Sequence, residues 1–355
     1  YFVEEEPLGT AGSVRNCLSH LGREDFLVIS GDCVCDLDLT EAIQAHQERE
    51  SCATLVLYAH PKPLEYGLVL TDEQGRVQRF VEKPSWGQVV TNMVNTGIYI
   101  LSPRAMELVP QQGPFDFGKD LFPTLLEQRM PLYGCPLEGY WCDMGDCGAY
   151  LKCVQDALDG RVTMDLNIPQ RSDGIWSAQS LPQGITLTPP CWIDRDVELE
   201  PGAIVGPYAV ISRECRVGER AVVQRSVLLE GTAVDSRASL DGAILCPGSA
   251  AQKKSILKDG AVLGDNALAE EGAILLERVR LWPGQTAPAG CRLAQSITSG
   301  SQKGVHRFGD GGVIRGVLGE DLGPDALLGI GSVLGVEGQV GLGCSNTPGA
   351  RMLAR

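Results

Sequence analysis

The sequence predicts an α/β unit, then a β-helix built of short parallel strands, then a short α/β fragment. Strand-type apolar runs alternate with amphipathic helical stretches up to about residue 160. Aliphatic residues then recur at every sixth position, and the pattern changes again near residue 298. We therefore divide the chain into residues 1–162, a linker over residues 163–187, residues 188–297 and residues 298–355.

The α/β unit is predicted from strands that alternate with helices. The predicted strands are "DFLVIS", "CATLVLYA", "NTGIYILS" and the hairpin "YGLVLTDEQGRVQRFVEKP". The predicted helices are "LTEAIQAHQERE", with Thr40 as its N-cap, "PRAMELVP", "GKDLFPTLLEQR" and "GAYLKCVQDALDG". This order favours a largely parallel, covered sheet with ligands beyond the carboxyl ends of its strands. Asp32 lies at such an end if "DFLVIS" is a central strand.

The β-helix is predicted from aliphatic or small residues that recur every six positions. The first run is Ile193, Leu199, Val205, Ile211, Val217, Val223 and Leu229, and the second is Leu245, Ala251, Leu257, Leu263, Ala269, Leu275 and Leu281. A period of six is neither helical nor that of a single strand, so it requires a coil of short strands. This pattern resembles the left-handed parallel β-helix of hexapeptide-repeat proteins. We interpret the break after Leu229 and the poor repeat "AQKKS" as a bulge or loop on one coil.

Composition excludes some partners. The net charge of −15 argues against nucleic acid or an anionic membrane as the main partner. No apolar run approaches the ~20 residues that a membrane-spanning helix needs. The thirteen cysteines form no paired C-x-x-C sets. We expect reduced thiols in a cytoplasmic protein.

The stretch "FLVISGDCVCDLDL" leads a strand-like run into three aspartates. Isolated carboxylates at a strand end repel one another and cost desolvation energy, so a cation is expected nearby. Asp36 and Asp38 precede a predicted helix, where capping and the helix dipole favour Asp, and we expect structural roles for them.

Seven blocks of residues 1–162 resemble the nucleotidyltransferase domain of sugar-1-phosphate nucleotidyltransferases, most closely the mannose-1-phosphate guanylyltransferase branch. The blocks are "EEPLGTAGSV", "FLVISGD", "DLDLTEAIQAH", "YGLVLTDEQGRVQRFVEKP", "VNTGIYILSP", "DFGKDLFPTLLE" and "GYWCDMGDCGAYLKCVQDALDG". The resemblance implies a Rossmann-like mixed sheet. It also implies transfer of a nucleotidyl group from a nucleoside triphosphate, with GTP expected, to a sugar 1-phosphate, with mannose expected.

The resemblance also implies the roles of residues on the nucleotide side. It makes Asp32 and Asp143 the ligands of Mg²⁺, an ion that one or two carboxylates plus substrate phosphates commonly hold. It assigns base and ribose contacts to Gly9 and Thr10.

On the sugar side, the resemblance assigns Glu82 to sugar hydroxyls and Lys83 to the sugar phosphate. It places Gly67, Asn95 and Gly97 against the sugar. A glycine is needed where backbone approaches a ligand closely, although each of these glycines could instead serve a turn or bulge.

Two departures from the family pattern shape our expectations. The Gly-rich phosphate loop of the type G-x-G-x-R is missing, so we expect an incomplete α/β fold with exposed sheet edges and no catalysis by this polypeptide alone. The tail "RFGDGGVIRGVLGEDLGPDALLGIGSVLG" resembles the opening of phosphohexomutases. Cys344 and Ser345 occupy the place of that family's Arg-Asp pair, and Arg315 is either a phosphate ligand or a turn residue.

Alternative functions remain open. Glucose 1-phosphate with UTP, dTTP or ATP is the second choice of substrates. A regulatory paralogue that senses nucleotide sugars without turnover is the second class of function. A β-helix acyltransferase is disfavoured, because such enzymes need a histidine between coils and none occurs between His60 and His306. The β-helix is then expected to serve homo-oligomeric assembly or domain spacing.

Overall fold

The computed structural model describes residues 2–298. Residues 1–296 belong to one compact unit, which holds every element named below. The predicted phosphohexomutase-like segment, with Arg315, Cys344 and Ser345, lies outside the described residues, apart from its first residue. No helix within residues 2–298 is long and apolar enough to cross a membrane. All twelve cysteines in that range are unpaired.

The α/β unit contains five helices and eight strands. The helices are α1 (Thr10–Leu21), α2 (Leu39–Glu48), α3 (Pro103–Met106), α4 (Phe122–Glu127) and α5 (Cys147–Leu158). The strands are β1 (Phe26–Ile29), β2 (Cys33–Cys35), β3 (Ala53–Ala59), β4 (Leu68–Thr71), β5 (Val77–Val81), β6 (Met93–Leu101), β7 (Leu132–Pro136) and β8 (Trp141–Asp143). A π-helical turn over Phe117–Leu121 leads into α4.

Five strands form the sheet order β5-β4-β6-β3-β7, and β1 also pairs with β6. The predicted mixed sheet is confirmed, but the expectation of a largely parallel one is wrong. Within this sheet, β3 and β7 form the one parallel pair. The nine-residue strand β6 runs antiparallel to β1, β3 and β4, although β1, β3 and β7 share one direction. Pairs that are antiparallel therefore predominate, and the predicted hairpin β4–β5 adds one more.

Strand β1 is an edge strand, so the condition that "DFLVIS" is a central strand is not met. Within the described residues it pairs only with β6, and Leu27 and Ile29 are 39% and 49% exposed. Alternate residues of a strand face opposite sides, so β3 supplies two cores. Leu55 and Leu57 pack with α4 on one face of the sheet, and Val56 packs in a second cluster on the other.

Asp36 and Asp38 have the structural roles expected of them. Asp38, not Thr40, is the N-cap of α2, and its side chain accepts a hydrogen bond from the Thr40 N–H. The Asp36 carboxylate accepts hydrogen bonds from the backbone N–H groups of Tyr140 (2.6 Å) and Thr163 (2.7 Å). These hydrogen bonds, that of Thr163 first, lower the pKa of Asp36.

A parallel solenoid of very short strands follows, consistent with the predicted left-handed β-helix. Its strands are β9 (Gln170–Ser172), β10 (Ile175–Ser177), β11 (Thr186–Leu187), β12 (Cys191–Ile193), β13 (Glu198–Leu199), β14 (Ile204–Val205), β15 (Ala209–Ile211), β16 (Arg216–Val217), β17 (Val222–Gln224), β18 (Val227–Leu228), β19 (Ala233–Val234), β20 (Ser239–Asp241), β21 (Ile244–Leu245), β22 (Ala250–Ala251), β23 (Ile256–Leu257), β24 (Val262–Leu263), β25 (Leu268–Ala269), β26 (Ile274–Leu275), β27 (Arg280–Leu281), β28 (Thr286–Ala287) and β29 (Arg292–Leu293). They stack into three sheets of 8, 7 and 6 strands, one on each side of the coil, and all pairs are parallel except that of β9 with β10. Strands β9 to β11 lie within the segment predicted as a linker.

The six-residue repeat correctly identifies the inward side chains except at one position. Leu228, not Leu229, points into the solenoid and is fully buried, and Val234 and Leu240 continue the row. Successive coils are offset by 18 residues where Val205 pairs with Val223, and by 17 where Val223 pairs with Leu240. The predicted bulge is therefore wrong. The repeat continues through this region, where two sides of the coil are each one residue shorter than the usual six.

The segment "AQKKS" is an ordinary corner rather than a disrupted repeat. Ala251 is fully buried inside the coil. Lys254 adopts a positive φ of 59°, as other corner residues such as Asn266 do. The lysines thus occupy solvent-facing corner positions and leave the coil uninterrupted.

Helix α5 packs along one face of the solenoid. The outward side chains of β15, β18, β21 and β24 form a column of Val210, Val227, Ile244 and Val262, and this column packs with Leu151 and its neighbours on α5. The next residue of the column is Arg280. The helix that follows β8 is thereby attached to the repeat.

Candidate active site

The loop after β1 carries Asp32 towards the middle of β6. The Ser30 N–H donates to the Gly97 carbonyl (3.1 Å), and the Ser30 hydroxyl donates to the Asp32 carboxylate. Gly97 has a φ of 78°, and a Cβ there would lie 3.0 Å from the Cβ of Ser30. Glycine at position 97 therefore allows the Asp32 loop to lie close against β6.

Asp143 reaches the same place by pairing of β8 with β2. Cys33 is opposite Asp143 in this antiparallel pair, and the Met144 N–H donates to the Asp32 carbonyl (2.9 Å). Burial raises the pKa of Asp143, and the negative charges of Asp32 and then Asp146 raise it further. The two carboxylates therefore act on each other electrostatically although 110 residues separate them.

The end of β5 supplies Glu82 and Lys83. A Cβ on Gly67 would lie 2.9 Å from Oε2 of Glu82, so this glycine makes room for the Glu82 carboxylate. Lys83 has a φ of 42°, a left-handed conformation that is uncommon for a residue with a side chain. Such outliers occur often at functional sites, where the surrounding structure holds them in place.

Strand β6 connects these groups through Asn95. Its N–H donates to the Gly67 carbonyl (2.8 Å), and its side-chain amide donates to the Tyr99 hydroxyl (2.9 Å). Its side-chain oxygen accepts from the Gly97 N–H (3.3 Å). Burial raises the pKa of Tyr99 to about 12, so the hydroxyl stays protonated at neutral pH.

One cleft of about 210 Å³ is lined by all of the residues that the sequence assigns to metal and sugar phosphate. They are Asp32, Gly67, Glu82, Lys83, Asn95, Gly97 and Asp143. The cleft thus combines the carboxylates of Asp32, Glu82 and Asp143 with the lysine Lys83, and Glu65 lines it as well.

The two residues assigned to the base and ribose lie farther along. Thr10 lines a neighbouring cavity of about 450 Å³, which shares Glu82 and Asn95 with the cleft. Gly9 lines neither cavity. A Cβ on Gly9 would lie 2.8 Å from the carbonyl oxygen of Phe115, so this glycine allows the loop to pack closely.

Several cavity residues were not singled out from the sequence. Asp116 accepts from the Thr10 hydroxyl (3.2 Å), and Lys119 lines the same cavity. Both fall in the block "DFGKDLFPTLLE", which was a signal for their position but not for their contacts. Trp141 lines the cleft, and its indole N–H is buried with no partner within residues 2–298. Only its place next to Asp143 in "GYWCDMG" hinted at this.

Comparisons with known proteins find two family models in this chain. Residues 1–160 match the family model described as nucleotidyl transferase, and residues 187–287 match the one described as GMPPB C-terminal domain. A UTP–glucose-1-phosphate uridylyltransferase of Synechocystis is 31% identical over 233 residues, which cover 63% of this chain and 60% of the relative.

Two relatives are named for mannose 1-phosphate. A mannose-1-phosphate guanyltransferase of Candida albicans is 36% identical over 156 residues, covering 43% of this chain and 42% of the relative. A mannose-1-phosphate guanylyltransferase catalytic subunit beta of Drosophila pseudoobscura is 29% identical over 257 residues, which cover 65% of this chain and 66% of the relative. The chain thus spans less than two thirds of the length of the first two relatives. Residues 1–160 thus belong to the nucleotidyl transferase family and residues 187–287 are a GMPPB C-terminal domain, a combination that together with these relatives supports a sugar-1-phosphate nucleotidyltransferase.

Proposed function

We propose that this chain carries the sugar-phosphate side of an enzyme that makes GDP-mannose and pyrophosphate from GTP and mannose 1-phosphate. The observation that supports this most directly is the single cleft shared by Asp32, Glu82, Lys83 and Asp143. The choice of mannose and guanine rests on the names of the Candida and Drosophila relatives.

In the proposed reaction, a phosphate oxygen of the sugar 1-phosphate attacks the α-phosphorus of the triphosphate. A new P–O bond forms there as the bond from the α-phosphorus to the α,β-bridging oxygen breaks, and pyrophosphate leaves. The nucleophile is already an anion, so no side chain has to remove a proton. Catalysis then requires mainly that the two phosphates are held in line and that their charge is neutralised.

Asp32 and Asp143 suit Mg²⁺ better than an ion held entirely by protein. Within residues 2–298, no group of three or more His, Cys, Asp or Glu side chains could hold a metal. Mg²⁺ commonly takes one or two carboxylates and completes its shell with water and substrate phosphates. When bound, the ion would neutralise phosphate charge. The mutual repulsion of the two carboxylates is a further reason to expect a cation between them.

The proposed sugar contacts follow from the positions of charged and backbone groups. Lys83 places an ammonium group in the cleft, where it can bind the phosphate of the sugar as a point charge. Glu82 can accept hydrogen bonds from sugar hydroxyls. Gly67, Asn95 and Gly97 present backbone to the same space. On the nucleotide side, Thr10 would contact the base or ribose from the adjoining cavity, with Gly9 shaping its loop.

Glucose 1-phosphate with UTP is the second candidate pair, because the Synechocystis relative carries that name and is similar over 233 residues. A pyrophosphate-release assay on the natural full-length protein, run over a matrix of sugar 1-phosphates and triphosphates, distinguishes the pairs. We expect the highest kcat/KM with mannose 1-phosphate and GTP. A preference for glucose 1-phosphate and UTP would replace our first choice, and no release with any pair would favour a regulatory paralogue.

A further inference from the structure

A second cavity, of about 440 Å³, lies between α5 and the solenoid. One corner of the coil stacks in register through Arg225, Gly242, Gly260 and Arg278, as the hydrogen bond from the Gly260 N–H to the Gly242 carbonyl (2.7 Å) shows. The two glycines leave room for side chains of the next coil: a Cβ on Gly242 would meet the Asp259 carboxylate, and a Cβ on Gly260 would lie 3.1 Å from Cγ of Arg278. We call the part of the cavity lined by Gly242, Gly260, Arg278 and Arg280 the corner notch.

The charges around the corner notch are unevenly paired. Arg225 pairs with Asp241 (2.8 Å) and Asp259 (3.3 Å), and Lys152 pairs with Asp156 on α5. Within residues 2–298, Arg278 and Arg280 have no carboxylate at ion-pair distance. Two guanidinium groups are therefore left without a counter-charge beside one cavity.

The opposite wall of the cavity is formed by the N-terminus of α5. The first turn of the twelve-residue helix α5, with Cys147 and Gly148, lines the cavity, and Asp146 caps the N–H of Ala149. The N-terminus of a helix favours a negative group. Asp146 and Asp259 also line the cavity, but Asp259 is already paired with Arg225.

We propose that the corner notch binds a phosphate group of a small phosphorylated molecule, at a site separate from the cleft of Asp32 and Asp143. Guanidinium groups bind phosphate through paired, charge-assisted hydrogen bonds, which suits Arg278 and Arg280. A chain with a net charge of −15 repels anions in general, so binding here depends on the local cluster. The site does not depend on the proposed reaction.

Calorimetric titration with inorganic phosphate and with pyrophosphate tests the site, with sodium chloride matched for ionic strength. Arg278→Asn keeps a residue that tolerates the corner's φ of 62°, and Arg280→Ala removes the second guanidinium. Arg237→Asn is the matched control, because Arg237 is an exposed corner residue with a φ of 59° that does not line the cavity. All variants are made in a Lys83→Ala background, which removes the candidate phosphate ligand of the cleft.

We expect saturable binding in the Lys83→Ala protein that weakens by at least about tenfold in Arg278→Asn and in Arg280→Ala. Arg237→Asn should bind as its parent does. Tighter binding of pyrophosphate than of phosphate would identify a diphosphate group as the ligand, and equal binding a single phosphate. Binding lost through Lys83→Ala alone, equal loss in the Arg237 control, or heat that follows ionic strength only would overturn the proposal.

Discussion

Cys33 and Asp143 lie directly opposite each other in the antiparallel pair of β2 and β8. Asp32 precedes Cys33, so this register places its carboxylate in the same cleft as that of Asp143. Each strand is only three residues long, yet the pair determines which acidic groups meet. The meeting of these two carboxylates therefore depends on a small local pairing outside the main sheet.

The proposed metal ligands give the first prediction. We expect Asp32→Asn and Asp143→Asn each to lower magnesium-dependent pyrophosphate release by roughly 100-fold or more, the usual effect of removing an aligned electrostatic group. The measurement is kcat/KM of the natural full-length protein as magnesium is varied. Asp173→Asn, an exposed turn aspartate, is the control. Turnover within a few-fold of wild type in either cleft variant would refute the metal assignment.

Gly97 gives a second prediction. Gly97→Ala should reduce both stability and binding of GDP-mannose, because it adds a Cβ 3.0 Å from Ser30 at a φ of 78°. Gly113→Ala has a similar φ of 84° but meets nothing within 4 Å, so it should lose only about 1–2 kcal/mol from the backbone conformation. Urea unfolding and calorimetry compare the two. Equal binding by both variants would mean that the contact of Ser30 with β6 does not shape the cleft.

Leu228 and Leu229 test the corrected phase of the repeat. Leu228 is fully buried inside the coil, whereas Leu229 is only partly buried on its outer face. Leu228→Ala should lower the free energy of unfolding by about 2–5 kcal/mol, and Leu229→Ala should cost clearly less. Chemical denaturation measures both. A larger loss of unfolding free energy in Leu229→Ala than in Leu228→Ala would show that Leu229 is the inward residue, as a strict repeat of six predicts.

The solenoid could be predicted from the sequence because each inward position is marked by an aliphatic or small residue. The shift of the inward position from Leu229 to Leu228 could not be predicted, since "VLLE" offers two adjacent leucines of equal size and shape. Only the neighbouring coils decide between them, through the pairing of Leu228 with Leu245. The antiparallel direction of β6 between β1 and β3 could not be predicted either. Strand direction depends on the path of the connections and not on the apolar pattern of the strand.

The candidate site shows a similar limit. Family resemblance supplied Asp32, Lys83 and Asp143, but residue spacing alone contains no sign that they share a cleft. The packing of α5 on Val227 and Ile244 was also unpredictable, because outward apolar side chains of a repeat do not specify what covers them. The cavity that contains the corner notch exists only because of that packing.

His46 predicts a pH dependence of stability. Its side chain is 1% exposed, and burial lowers its pKa, although Asp25 at 3.5 Å partly opposes the shift. The unfolded chain then binds the proton more tightly than the folded one. Stability should be full above the unfolded pKa of about 6.5 and should fall as the pH drops through the lowered folded pKa.

Urea unfolding at pH 8 and at pH 5 measures this effect. His46→Gln should make the loss of stability between the two values smaller, and the exposed His20→Gln should leave it unchanged. An identical pH dependence in wild type and His46→Gln would show that protonation of His46 does not contribute. Its Nδ1 contact with the Thr54 hydroxyl (2.9 Å) is present in the neutral form, which is the form that burial favours.

Trp141 predicts a change in sugar recognition without loss of the fold. Trp141 lines the cleft, its indole N–H is buried with no partner within the described residues, and its ring packs 5.2 Å from that of Tyr66. Trp141→Phe keeps most of the ring contact and removes the donor. If the N–H binds a sugar hydroxyl, KM for the sugar 1-phosphate should rise roughly threefold to tenfold with kcat nearly unchanged, as for a contact made equally in ground and transition states. Trp86→Phe, at a side chain that is 80% exposed, is the control, and an equal KM in both variants would exclude the indole N–H from substrate binding.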